Sequence, residues 1–360
     1  MSTIIFIEDS SKSLFGGGQK ISSIVLEQLQ RIGKRVIYVD FAENPKLKVH
    51  LDLRRSKVLK LYNKVLNRPF GIFLQLFVLI PNFLILTVTI LKEKNPIIYV
   101  TSKRGLIYGG AFALLFRVNY IYHAHMVLQE KVYDRLILFI IRNAHCCICV
   151  SEYVLLEYQK RGIKNGILLE NPVESAVIKD SKSKRVGVFR VLFIGSVIEI
   201  KGLNYLLDIF SIYSGSDIEI HVLGTGNLLN NYKKAYVSNN QIIFHGFIND
   251  VHRFLNEIAD VLVLPTIISE AAPTAIQQAM LHGVPVITTD IGGQCSFVDN
   301  GINGILVRPR DTKNILDAIL MMKDDLGFYK SLSFNCKEKA KGFKTVEDFG
   351  NGFLDIVNQV

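Results

Sequence analysis

Glu270 is the one carboxylate in the loop of ADVLVLPTIISEAAPTAIQQAMLHGVPVITT, between the strand-like ADVLVLP and a helix-like run that stops at Gly283. Pro273 suits a first helical turn, and Gly283 suits a C-terminal stop. Thr274 and Gln278 stand at i and i+4 and therefore share one face of that helix. A carboxylate beside a hydroxyl and an amide offers acceptors and donors to a polyhydroxylated ligand. The unpaired N–H groups of the helix start suit an anion. The plain alternative is a solvated loop glutamate and a surface glutamine.

Three further junctions have comparable chemistry. In VLFIGSVIEIKGLNYLLDIF a strand ends at Gly195 and Ser196, and Lys201 with Gly202 opens the next helix. The macrodipole disfavours a lysine there by about 0.3–1 kcal/mol unless an anion binds, which gives Lys201 weight as a phosphate ligand. In FGGGQK, Gly17 and Gly18 let a ligand approach the backbone ahead of a helix start, with a merely flexible loop as an equal alternative. HVLGTGNLLNN begins like a dinucleotide fingerprint, but Leu229 occupies the third glycine position, so a nicotinamide reading is weak. In NYIYHAHM, His123 and His125 point to one face of a strand, and no third metal ligand accompanies them. Hydrogen bonding to a polar ligand suits His125; a satisfied core histidine suits the deeper His123.

These loops need strands to end where they begin, and the chain supplies them. STIIFIE, RVIYVD, PIIYVTS, NYIYHAHM and CCICVS alternate with helix-like runs, including one closed by Gly33, one from about 105 to 116 and one near 132 to 142. After a polar, basic stretch at 172–190 the alternation restarts with RVLFIGS, IEIHVLG, QIIFHGF, DVLVLPT and PVITTD. Short Val- and Ile-rich runs separated by helices predict parallel sheets covered on both faces. Two doubly wound α/β domains facing across a cleft are expected.

The composition is globular, with 49% hydrophobic and 21% charged residues over 360. No secretory leader is read at the start of the chain. Five cysteines, three of them in HCCICV, lack zinc spacing and read as buried thiols of a reduced, cytoplasmic protein. The net charge of +10 is uneven: eight basic residues and one acid lie between Lys46 and Arg68, directly before the uncharged FGIFLQLFVLIPNFLILTVTIL at 70–91. A buried helix pair, an interfacial anchor and a membrane span compete here. Pro81 and four polar residues make the span the least favoured. Peripheral contact with an anionic membrane is expected instead. Nucleic acid is not, because the basic run carries no stacking aromatic beyond Tyr62.

The ordered motifs GSVIEIKGLNYLLDIF, HVLGTGNLLNNY, IIFHGFINDV, ADVLVLPT, SEAAPTAIQQAMLHGVPVITTDIGG and FVDNGINGILVRPRD resemble those of the retaining glycosyltransferases of family 4, which have the GT-B fold. FGGGQK, YHAHM, VSEYVLLEYQKRGI and ENPVE extend the likeness more loosely into the first half. The resemblance implies transfer of a sugar from a nucleotide diphosphate sugar to a glycan or lipid-linked glycan, with retention and with neither a metal nor a cofactor. It implies a surface-polysaccharide role (capsule, exopolysaccharide or O-antigen). It divides the chain into an acceptor-side domain at 1–172, a linker at 173–190, a donor domain at 191–345, and a C-terminal helix at 346–360 returning to the first domain. Glu270 matches the glutamate that contacts the donor sugar, and Lys201 the basic residue that neutralises the diphosphate. His125 matches the histidine approaching the transferred sugar, and Gly17 and Gly18 the loop near the phosphates. Gly195, Ala272, Pro273, Thr274 and Ala275 line the donor. Two positions depart from the pattern: Ser196 replaces an arginine, and Gln278 replaces the ribose-binding glutamate. Those departures support a rival reading, a non-catalytic nucleotide-sugar-binding or scaffold protein. A sugar-nucleotide epimerase of the same fold is a third, opposed by the Glu270 loop and the motif order.

Overall fold

The computed structural model describes residues 2–8, 17–40, 57–60, 83–128, 134–174 and 187–360, without the side chains of 40, 57–60 and 104. Within it the chain forms two compact units, Met1–Asn171 with Glu347–Val360, and Pro172–Val346.

The first unit is built on a seven-stranded sheet in the order β3-β2-β1-β4-β5-β6-β7. Its strands are β1 Thr3–Glu8, β2 Arg35–Asp40, β3 Lys57–Lys60, β4 Pro96–Val100, β5 Tyr120–Ala124, β6 Cys146–Cys149 and β7 Gly166–Leu168. All pairings are parallel. β1, β5 and β6 are buried residue by residue, as strands covered on both faces must be. β3 is an addition to the sequence reading: KVLK sits inside the basic run, where the charges hide the strand pattern. The helix expected at about 105–116 starts earlier, at Lys103–Gly105, and reaches Ala111–Phe116 through a π-helical turn, Leu106–Gly110. Ser102 caps it through its side-chain oxygen.

The second unit carries a six-stranded parallel sheet, β10-β9-β8-β11-β12-β13. Its strands are β8 Phe189–Ile194, β9 Ile218–Leu223, β10 Ile242–Gly246, β11 Val261–Leu264, β12 Val286–Thr289 and β13 Gly304–Val307. Its core runs from Val191, Leu192 and Phe193 through Val261, Leu262 and Val263 to Ile276 and Ile319, all fully buried. The helix expected after Gly202 is short, Leu203–Leu207, and is followed by a 3-10 turn, Asp208–Ser211.

The uncharged run at 70–91 enters the described residues only at its end, where 83–91 are helical. Leu86 and Ile90 are buried there while Leu84, Val88 and Leu91 are exposed. Thr87 and Thr89 return their hydroxyls to the carbonyls of Phe83 and Ile85. Among the described residues no helix is long and apolar enough to cross a membrane. The basic run outside β3, and the apolar residues 70–82, lie outside the described residues.

Candidate functional site

Both sheets reverse their winding between two central strands, β1 with β4 and β8 with β11. In open parallel sheets the crevice beyond the carboxyl ends at such a reversal is where ligands bind. In the second unit β8 and β11 pair through Val191 with Val261 and Leu192 with Leu262, so the loops that follow them emerge side by side. After β8 come Gly195 and Ser196, then one 3-10 turn, Glu199–Lys201, and Gly202 ahead of the helix Leu203–Leu207. Lys201 therefore closes a 3-10 turn instead of opening the helix.

The two loops are sewn together. The Ile200 carbonyl accepts from the Ile267 backbone N–H at 2.9 Å and from the Thr266 hydroxyl at 2.9 Å. Thr289 donates to the Thr266 carbonyl at 2.7 Å. Gly202, at φ 64°, lies so close that a Cβ there would stand 2.0 Å from the Pro265 carbonyl oxygen. With the loops fixed, Lys201 Nζ meets Glu270 Oε2 at 2.6 Å. Only about a fifth of each side chain is exposed (23% and 20%), so the pair is worth more than a solvated surface bridge.

Glu270 is also held from behind. Its backbone N–H donates to Gln294 Oε1 at 3.1 Å, and its carbonyl accepts from the Gly293 N–H at 2.7 Å. Gln294 is fully buried. The sequence reading missed it, although a glutamine directly after Gly292 and Gly293 at the end of PVITTD was a usable signal. Gly293 leaves no room for a side chain, since a Cβ would sit 2.1 Å from the Ala271 carbonyl.

The helix Thr274–Leu281 begins after Pro273 without a side-chain cap. Ile276, Gln277, Ala279 and Met280 are buried, whereas Thr274, Ala275 and Gln278 are half-buried, as is Ala272 in the preceding loop. Gln278 thus lies on the accessible side and Gln277 on the core side, as a 3.6-residue period requires. Gly195 and Ser196 are half-buried in the neighbouring loop. The glycines of GTG pack backbone on backbone: a Cβ at Gly224 would stand 1.8 Å from the Gly195 carbonyl oxygen, and one at Gly226 2.2 Å from that of Val197. Close loop packing accounts for that fingerprint-like run.

In the first unit Gly17 and Gly18 are the first residues of the helix Gly17–Arg31. Among the described residues a Cβ at Gly18 would meet nothing within 4 Å, so no packing contact with them demands a glycine there. His125 follows β5, with its ring centroid 4.2 Å from that of His123. His123 is wholly buried, and its Nδ1 is hydrogen-bonded to the Tyr99 hydroxyl. The Nε2 atoms of both histidines are buried and have no hydrogen-bond partner among the described residues. Burial, and then the neighbouring His125, push the His123 pKa well below its ordinary value; burial lowers that of His125 to about 4.

That shift has a stability consequence. Because the folded His125 resists its proton, its contribution is fully present above the unfolded value of about 6.5 and is lost as pH falls from there through 4. Between pH 7 and pH 5 the chain is expected to lose about 2 kcal/mol on this account. His125→Gln should flatten the pH dependence of the urea midpoint by that amount. An equal slope in the variant would refute the buried neutral imidazole.

Elsewhere in the first unit, Lys103 Nζ lies 3.9 Å from Asp134 Oδ1. Among the described residues no cluster of three or more histidine, cysteine or acidic side chains is placed to hold a metal ion. All five cysteines are free thiols. Burial pushes Cys146 and Cys336 up to about 12 and Cys295 to about 11, which keeps them protonated and unreactive.

Two parallel sheets with these loops at their reversals define the GT-B fold of glycosyltransferases. Residues 188–325 match the family model described as Glycosyl transferases group 1. The chain is 26% identical over 305 residues to the UDP-Gal:alpha-D-GlcNAc-diphosphoundecaprenol alpha-1,3-galactosyltransferase of Escherichia coli, covering 74% of this chain and 77% of that one. It is 24% identical to the capsular polysaccharide biosynthesis glycosyltransferase CapM of Staphylococcus aureus, over about half of each chain (54% and 54%). Among solved structures, Anabaena Alr3699/HepE in complex with UDP superimposes with a TM-score of 0.78 at 18% identity, over 99% of this chain and 100% of that one.

Proposed function

We propose that this chain moves a sugar from a nucleotide diphosphate sugar to a glycan or lipid-linked glycan during surface-polysaccharide synthesis, with retention of anomeric configuration and without a metal. The observation that carries the reading is the Lys201–Glu270 pair at the carboxyl-end reversal of a sheet in this family. Lys201 is the cation for the departing diphosphate, and Glu270 accepts from a hydroxyl of the sugar. In the unliganded chain each holds the other, so a donor replaces one charged contact with others instead of stripping water from two isolated ions. The uncapped amides at Thr274–Ala275 and the backbone of Ala272 and Pro273 add donors for phosphate oxygens. Gln278 holds the ribose, and Gly195 with Ser196 borders the donor. On the first unit, His125 binds a sugar hydroxyl through a neutral imidazole, and Gly17 and Gly18 lie by phosphate. The acceptor oxygen attacks on the face from which the diphosphate departs, and a phosphate oxygen takes its proton. This needs no protein nucleophile.

The activity of the Escherichia coli relative supports a UDP-sugar and a lipid-linked acceptor, and the UDP held by Anabaena Alr3699/HepE supports the same nucleotide. The basic run at 46–68 supports peripheral contact with the inner face of a cytoplasmic membrane. The test is a panel of nucleotide sugars scored by thermal stabilisation and by transfer to a diphosphoundecaprenol-linked acceptor. Stabilisation and turnover with at least one donor is expected; neither with any would overturn the proposal.

Ser196 and Gln278 favour a second reading, a nucleotide-sugar-binding protein without turnover. Ser196→Arg with Gln278→Glu should raise donor affinity at least tenfold, because each adds a charge-assisted contact. Titration calorimetry of both proteins measures it, and an unchanged Kd would mean that these positions do not touch the donor. Donor binding without transfer to any acceptor would establish the second reading.

A further inference from the structure

Three adjacent strands of the first sheet bring Glu8, Tyr99, Thr101, His123 and His125 to their carboxyl ends, on the face that the C-terminal helix Val346–Asn358 helps to cover. Four rings there close a circuit. Tyr99 meets His123 edge-on at 5.9 Å, and His123 stacks on Phe349 at 6.4 Å and 22°. Phe349 lies parallel to Phe353 at 6.3 Å, and Phe353 returns edge-on to Tyr99 at 5.6 Å. His125 stands just outside the circuit, against the His123 ring.

We propose that His123 is a positioning residue for His125: the Tyr99 hydroxyl fixes its tautomer, Phe349 fixes its ring, and the immobilised imidazole is the platform that orients His125 toward a sugar hydroxyl. The proposal rests on the reading of His125 given above. The chemistry follows from the hydrogen-bond inventory. In this arrangement the buried, protonated Tyr99 gives its O–H to His123 Nδ1, which places the ring hydrogen on Nε2. A ring hydrogen-bonded at one nitrogen and stacked on Phe349 is held in a single orientation. That is what a group aligning a small polar ligand requires. His123 is too buried to meet a ligand itself, whereas part of His125 remains accessible.

Tyr99→Phe removes the donor and keeps the ring; Phe349→Leu removes the stack and keeps the helix apolar. Nitrogen-15 NMR of histidine-labelled full-length protein, with no ligand added, should show His123 as one tautomer in the native chain. It should show a mixture in Tyr99→Phe, with the His125 resonances displaced. In transfer from UDP-galactose, each variant should lower kcat about tenfold and leave the donor KM within twofold. Tyr99→Phe combined with His125→Ala should be no slower than His125→Ala alone, since Tyr99 acts through His125. Unchanged His125 resonances, unchanged kcat, or additive losses would each overturn the proposal. If His125→Ala transfers at the native rate, the sugar-binding reading of His125 fails instead, and the spectra still decide whether Tyr99 and His123 order its ring.

Discussion

Lys201→Ala is expected to lower kcat/KM for sugar transfer by about 100- to 1,000-fold, the usual loss when one preorganised group facing developing negative charge is removed. The effect is concentrated on this residue because the position expected to share its charge is Ser196. Stability should fall modestly, by about 1–2 kcal/mol, because the Glu270 carboxylate loses its partner in a largely buried setting, while the loop keeps its backbone bonds to Gln294 and Gly293. The thermal midpoint should therefore move by only a few degrees while turnover collapses. Steady-state kinetics at subsaturating donor, run beside a melting curve, separates the two. A variant that transfers at the native rate would remove Lys201 from the diphosphate.

Gly202→Ala is expected to act in the opposite way, through the fold. The added methyl must enter a left-handed backbone conformation at φ 64°, at about 1–2 kcal/mol, and it would stand 2.0 Å from the Pro265 carbonyl oxygen. Relieving that contact means separating the two loops or straining them, for about another 1–3 kcal/mol. A total near 3 kcal/mol corresponds to a Tm fall of roughly 6–12 °C for a unit of this size. Because Gly202 lies next to Lys201, the Lys201–Glu270 distance should open as well, so activity falls with stability. A Tm within 2 °C of native would show that the close approach is not as tight as the geometry states.

The sheets were legible because parallel strands buried on both faces write themselves as unbroken Val, Ile and Phe runs. RVLFIGS and DVLVLPT gave β8 and β11 almost to the residue. KVLK was hidden because an edge strand in a basic segment has too few apolar residues to signal itself. The helix start at Lys103 was missed because its cap, Ser102, lies beside two cations that look like loop. Within the site, Glu270 and Lys201 were found from their placement at strand ends, but their mutual contact was not. They are sixty-nine positions apart, and only the pairing of β8 with β11 brings their loops together. Gln294 was invisible for a related reason: its task is to hold a backbone N–H, which any loop polar residue might do. The GTG run misled toward phosphate because tight backbone packing and ligand approach both select glycine.

The first unit is completed by residues that follow the second along the chain. A ribosome translating at about 5–20 residues per second therefore finishes the sheet β1–β7 roughly ten to thirty-five seconds before Phe349 and Phe353 emerge to roof it. Throughout that interval Tyr99 and His123 lack their aromatic lid, and by its end the later-made unit has its whole sequence. The half that is synthesised first is the half that matures last, and nascent chains stalled before residue 346 should engage chaperones through the open face.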